Sequence, residues 1–142
     1  MDPEDPVVKL CVEGMQAEGR GDVSKARSSF AQAWEAATDD YKRCIAAHYV
    51  ARHRDTAEST LQWNEKAMRY AESVNDPRVE DFFPSLLLNL GHSHEQLGNR
   101  AEAIRFYDLA VARADPLPEG RYGRIVLDAA IAGQRRLAGW CG

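Results

Sequence analysis

Histidine and cysteine are the residues of this chain best able to do chemistry, and their spacing decides what is open to them. His92 and His94 form a His-x-His pair. On a helix, residues two apart point about 200° from each other and cannot chelate one ion. The expectation is that one faces a groove and the other faces inward. Cys44 and His48 are four apart on one helix face, with His53 nearby. Zinc takes four ligands, or three and a water, and only two residues here have ligand spacing, so packed core positions are expected for both. The minor alternative is a metal-dependent enzyme using His48, His53 or His92.

No other catalytic constellation is legible. Ser28, Ser29, Ser59 and Ser73 lie outside any nucleophile motif. Gly19-Arg20-Gly21 reads as a turn between helices, because no strand precedes it to make a phosphate loop. The acidic pairs Asp39-Asp40 and Glu80-Asp81 fall at helix starts, where carboxylates interact favourably with the backbone dipole. The expectation is therefore no enzyme, no cofactor and no metal. Lys42, Arg43, Arg52, His53 and Arg54, with Tyr49 among them, form the candidate anion patch, in which Tyr49 could stack on a base. Glu35, Asp39, Asp40 and Asp55 dilute it, so a solvated or peptide-facing surface is expected and a nucleic-acid partner is not.

The whole-chain numbers agree with that. The 142 residues carry a net charge of −4, with 44% apolar and 28% charged residues, the values of an ordinary domain with a core of its own. Cys11, Cys44 and Cys141 are odd in number and lie in no CxxC, which reads as free thiols in a reducing compartment. The first residues, Met-Asp-Pro-Glu-Asp-Pro, lack the basic and apolar regions of a secretory signal. No apolar run approaches the roughly 18 residues of a membrane span. A cytoplasmic protein with no membrane partner is expected.

The elements that would position these residues come from an internal repeat. Shifting the chain by 77 residues lays Leu10 on Leu87, Gly14 on Gly91, Gly21 on Gly98, Ala26 on Ala103, Phe30 on Tyr107, Ala33 on Ala110 and Ala37 on Ala114. Dividing that shift into 34 and 43 exposes a weaker middle copy, in which Gly14, Ala26 and Phe30 fall on His48, Thr60 and Asn64. Each copy has two segments of helical periodicity separated by a break, which predicts an antiparallel helix pair. Gly14 and Gly91 would receive the rings of Phe30 and Tyr107, and Gly21 and Gly98 would end first helices at positive φ.

The pattern Leu-x-x-x-Gly, then Gly, then Ala-x-x-x-aromatic-x-x-Ala resembles the tetratricopeptide repeat, most closely over Leu87 to Ala110. That resemblance covers about residues 6 to 116. It implies an all-α fold: a right-handed α-solenoid of three antiparallel helix hairpins plus a C-terminal capping helix, about seven helices, as a single domain over 1–142. The repeats run about 6–39, 40–76 and 78–116, and the capping helix about 119–138. The 43-residue spacing exceeds the usual 34 and predicts longer helices around a turn at Asn75-Asp76-Pro77, with Pro84 starting or kinking the next helix. In the last segment Ile125, Leu127, Ala129, Ala130, Ile131 and Leu137 supply an apolar face, and Arg124, Asp128, Gln134, Arg135 and Arg136 an outer one.

In the family that this chain resembles, partners lie along the first helices. The resemblance therefore implies a non-catalytic protein-protein interaction module or scaffold, with a peptide-binding groove at Met15, Lys42, Tyr49, Arg52, His53, Leu88, Asn89, His92 and Gln96. The family's familiar clamp for an acidic chaperone C-terminus uses lysines, asparagines and an arginine. Cys11, Met15, Ala46, Ser85 and Asn89 stand at those positions, so that ligand is disfavoured. A protein or peptide partner is expected, and a homodimer through Trp140 or the last helix is the alternative.

Overall fold

Polar caps set the helix starts. In the computed structural model, which describes residues 2–74, 77–114 and 121–139, the Asp5 carboxylate accepts from the Val7 amide at 2.8 Å and opens α1 (Pro6–Gly19). Asp22 opens α2 (Val23–Ala36), Asp39 opens α3 (Asp40–Val50) and Thr56 opens α4 (Ala57–Ser73) in the same way. Each satisfies an amide that the first turn leaves without a partner. Pro84 sits in the first turn of α5 (Phe83–Gln96), where its missing N–H costs nothing. Then come α6 (Arg100–Ala114) and α7 (Arg121–Ala138). The described residues are helical or turn, with no strand among them, and no helix is long and apolar enough to cross a membrane.

The chain divides into two compact units, residues 1–74 and 75–142. In the first, α1 folds back on α2, α3 packs on α2, and α4 packs on α3. A Schellman turn makes the first reversal: the Asp22 amide donates to the Ala17 carbonyl at 2.9 Å and the Gly21 amide to the Glu18 carbonyl at 2.9 Å, with Gly21 at φ 77°. Val7, Cys11, Gly14 and Ala17 form the buried stripe of α1. Phe30 lies against Gly14, so close that a β-carbon there would stand 2.2 Å from a ring carbon. The same ring stacks with Tyr49 at 5.3 Å and with His53 at 6.3 Å.

The second unit repeats the device. Asn99 donates to the His94 carbonyl at 2.8 Å and Gly98 to the Glu95 carbonyl at 3.1 Å, with Gly98 at φ 79°. Tyr107 is fully buried between Gly91 and Gly133, whose added β-carbons would lie 2.7 and 2.6 Å from its ring atoms. Gly133 thus does on α7 what Tyr49 does on α3, contacting the aromatic of the preceding hairpin. The two positions are 84 apart, as are Ala46 and Ala130, both fully buried.

Three expectations need correction. Of the longer helices expected around the junction, α4 has 17 residues against 14 for α1 and α2, but α5 has only 14: Pro77–Phe82 form a 3₁₀ segment anchored by buried Val79, and Glu80 and Asp81 lie in it, ahead of the helix start at Phe83. Asn75 and Asp76 lie outside the described residues, as do Pro116, Pro118, Trp140 and Cys141. On α7 the buried stripe is Val126, Ala130, Gly133 and Leu137, whereas Ile125 is 58% exposed. The helical period selects 126, 130, 133 and 137, and Ile125 falls about 100° off that line. Gln134 and Arg136 also leave the outer face, turning to Asp108 and Glu95.

Candidate functional site

On the first unit, α1 shows an exposed apolar stripe beside α3. Val12 is 41% exposed and Met15 37%, with half-buried Val8 in line with them at helical spacing. Ion pairs tie the two ends of α1 to the start of α3 and to the 3₁₀ turn Ala51–His53 that follows it. Lys42 Nζ lies 2.8 Å from the Asp5 carboxylate. The Asp5 carboxyl is held below the usual carboxylate range, chiefly by the Lys42 hydrogen bond, although burial opposes this. At the other end Arg52 Nε donates to Glu18 Oε2 at 2.9 Å, and His53 Nε2 lies 2.6 Å from the same oxygen. The Arg52 guanidinium also sits 5.7 Å from the centre of the Tyr49 ring. Lys42, Arg52 and His53 are therefore tied to the two ends of α1, and Tyr49 is held by its ring contacts with Phe30 and Arg52.

The remaining expected groove residues belong to α5 in the second unit. Leu88 is buried at 9% exposure and offers little to a ligand; it sits within a buried run from Pro84 to Leu88. Asn89 and His92 are half-buried and Gln96 is exposed. His92 meets the Tyr107 ring edge-on at 5.6 Å, and burial, then the Arg136 charge, push its pKa below the ordinary value. Glu95 accepts from the Tyr107 hydroxyl at 2.6 Å and from Arg136 through two bonds of 3.0 Å. Burial and the Glu95 hydrogen bond raise the Tyr107 pKa, and the Glu95 hydrogen bond raises that of Arg136.

Sequence reasoning gave no pairing role to Asp5, Glu18, Glu95 or Arg136, although it set Arg136 on the outer face of the last helix. A signal for three of them was present: Glu18, Arg52, Glu95 and Arg136 occupy one register position near the ends of α1, α3, α5 and α7, alternating in sign. Within each unit the acid and base of that position pair. The basic patch is correspondingly engaged: Lys42 with Asp5, Arg43 with Asp40 at 3.2 Å, Arg52 and His53 with Glu18, and Arg54 with the His53 carbonyl at 3.1 Å.

The histidines and cysteines do not converge. Among the described residues, no three of His, Cys, Asp and Glu are placed to share a metal ion. His94 is buried, stacks on Phe106 at 5.4 Å, and its Nδ1 lies 3.2 Å from the Asn99 amide nitrogen. His48 is driven down to about 4 by burial, then by the Arg52 charge, so its imidazole is neutral near pH 7. Cys11 and Cys44 are buried free thiols, each pushed up to about 12 by burial. At pH 8 only about one such thiol in ten thousand is a thiolate, the reactive form. In a Cys141→Ser variant, iodoacetamide should leave the folded protein unmodified and alkylate both cysteines in denaturant. Mass spectrometry reads the result, and labelling of folded protein at the rate of a free thiol would contradict the burial.

The chain matches no protein-family model, no curated protein and no solved structure. What it does must be argued from the geometry of these two units.

Proposed function

We propose that this chain is a non-catalytic protein-protein interaction module, a tetratricopeptide-like right-handed solenoid of three hairpins and a capping helix that takes a peptide or protein segment along its first helices. The observation that carries this reading is the α1 stripe of exposed Val12 and Met15 with half-buried Val8, on a helix whose opposite face is packed and whose Glu18 is bonded to Arg52, just past the end of α3. Methionine, tyrosine and arginine are enriched where interfaces concentrate their energy. Arg52 is already fixed by Glu18 and Tyr49, so a ligand docking there loses less side-chain entropy than it would against a free arginine.

The chemistry favours a ligand with apolar side chains for Val12, Met15 and Tyr49. A carboxylate on it would compete with Glu18 for Arg52 or with Asp5 for Lys42. Peptides selected from a displayed library on the wild-type protein should bind at least about tenfold more weakly to Tyr49→Ala combined with Arg52→Ala, the loss expected for one hot spot. Met15→Ser, a change at a side chain that is 37% exposed, should weaken them severalfold with the melting temperature unchanged. Equal affinity for all three proteins would show that the ligand binds elsewhere.

A further inference from the structure

Where α2 and α4 of the first unit bring two indoles together, an ammonium group lies against both. Trp34 of α2 and Trp63 of α4 stand with ring centroids 5.1 Å apart and planes at 90°. Two such rings are the walls of a corner. Lys66, one turn along α4 from Trp63, places Nζ 4.2 Å from the Trp63 centroid and 5.3 Å from that of Trp34. Tyr70, one further turn along, tilts against Trp34 at 5.9 Å. All four side chains are half-buried, so the corner is open on one side.

The neighbouring cation shows what is unusual about Lys66. Arg43 lies 6.0 Å from the centre of the Tyr70 ring, but the Asp40 carboxylate holds it there. Lys66 makes no hydrogen bond or ion pair among the described residues. Its charge is held by ring faces, whose quadrupoles present negative potential to it. Independently of the peptide reading, we propose that Trp34 and Trp63 form a recognition corner for a methylated ammonium group, with Lys66 as its tethered occupant.

The preference for methylation follows from hydration. A lysine ammonium is compact and strongly hydrated, and leaving water to enter the corner offsets much of the attraction to the rings. A trimethylammonium carries the same charge, holds its water weakly, and sets methyl groups against both indoles at once; quaternary ammonium groups are the cations such aromatic walls recognise. Lys66 acts as a competitor on a short tether. Removing it should strengthen binding by about fivefold, the worth of one exposed contact of this kind.

The test uses Trp140→Phe protein, so that fluorescence reports Trp34 and Trp63 alone, with and without Lys66→Ala. The probes are choline, a short peptide carrying trimethyl-lysine, the same peptide unmethylated, and 3,3-dimethylbutanol as the neutral isostere of choline. The corner predicts saturable quenching by both methylated probes and about fivefold tighter binding to Lys66→Ala. It predicts no saturable response to the isostere. The tighter of the two methylated probes identifies the source, free cation or modified chain. A Trp34→Phe variant with an unchanged circular dichroism spectrum should weaken binding at least fivefold. In wild-type protein, the Lys66 Hε proton signals should be shifted upfield by the indole ring currents and return toward ordinary values as choline is added. No saturable response of Lys66→Ala to either methylated probe, or an equal response to the isostere, would overturn the proposal; so would Lys66 Hε signals at ordinary values in the free protein.

Discussion

Gly91→Ala is expected to destabilise this protein by about 3 kcal/mol, although glycine to alanine inside a helix ordinarily stabilises by up to about 1 kcal/mol. The reversal comes from the ring it faces. Tyr107 lies between Gly91 on one side and Gly133 on the other, and an alanine β-carbon at 91 would stand 2.7 Å from two ring atoms. The ring has little room to shift, because Gly133 is packed against it as closely, with an added β-carbon falling 2.6 Å from its atoms, and the Tyr107 hydroxyl is bonded to Glu95. Either the helices separate or the tyrosine leaves its site, and both expose a side chain that is now fully buried. Gly19→Ala is the matched control: Gly19 is also helical, an added β-carbon meets nothing within 4 Å, and its φ is negative. It should leave stability unchanged or raise it. Urea midpoints check the pair: the Gly91→Ala midpoint should fall, and the Gly19→Ala midpoint should stay or rise.

The second large effect is expected at Glu95. Replacing it with alanine leaves a buried tyrosine hydroxyl without its acceptor and strips Arg136 of two bonds. Hydrogen bonds to charged groups contribute about 1.5–3 kcal/mol each. Arg136 is half exposed and regains water, so the expected net loss is about 2 kcal/mol. The same carboxylate gives an acid dependence of known sign. Arg136 first, then Tyr107, hold the Glu95 carboxyl below its ordinary value of 4.5, against the opposing effect of burial. A depressed carboxyl contributes stability that is complete above the unfolded value and lost as pH falls through the lower folded one. Glu95→Gln should therefore lower the melting temperature near neutrality and flatten its fall under acid. A wild-type curve that overlays the Glu95→Gln curve below pH 4.5 and above it would contradict the pairing.

These two sites show how far the sequence could be read. The glycine-aromatic pairs Gly14 with Phe30 and Gly91 with Tyr107 were legible because each depends on one small and one large residue at a separation set by two helices and a turn. The turns at Gly21 and Gly98 were legible because few residues adopt positive φ without strain. Gly133 was not, since nothing in its neighbourhood says that α7 will lay it on a tyrosine 26 residues back. Leu88 was placed in the groove by the resemblance, and a Leu-Leu-Leu run has no period to correct that; burial then claimed all three. The junction misled for a related reason: Pro77 and Pro84 mark breaks, yet the choice between longer helices and a 3₁₀ segment rests on where Val79 finds a buried seat. Charge pairs across helices depend on rotamers, so Glu18 with Arg52 and Glu95 with Arg136 emerged only from the coordinates, although their shared register was visible in the chain.

The central claim is that the face formed by α1 and α3 is where a partner segment binds. Amide and methyl chemical-shift mapping of the isotopically labelled protein, titrated with a peptide selected on it, tests that most directly. The account predicts that the largest shifts fall on Val8, Val12, Met15, Tyr49 and Arg52, with the Glu18 amide following as its side chain responds to the ligand. Shifts confined to the α2 and α4 face or to the second unit, with Val12 and Met15 unmoved at saturation, would contradict it.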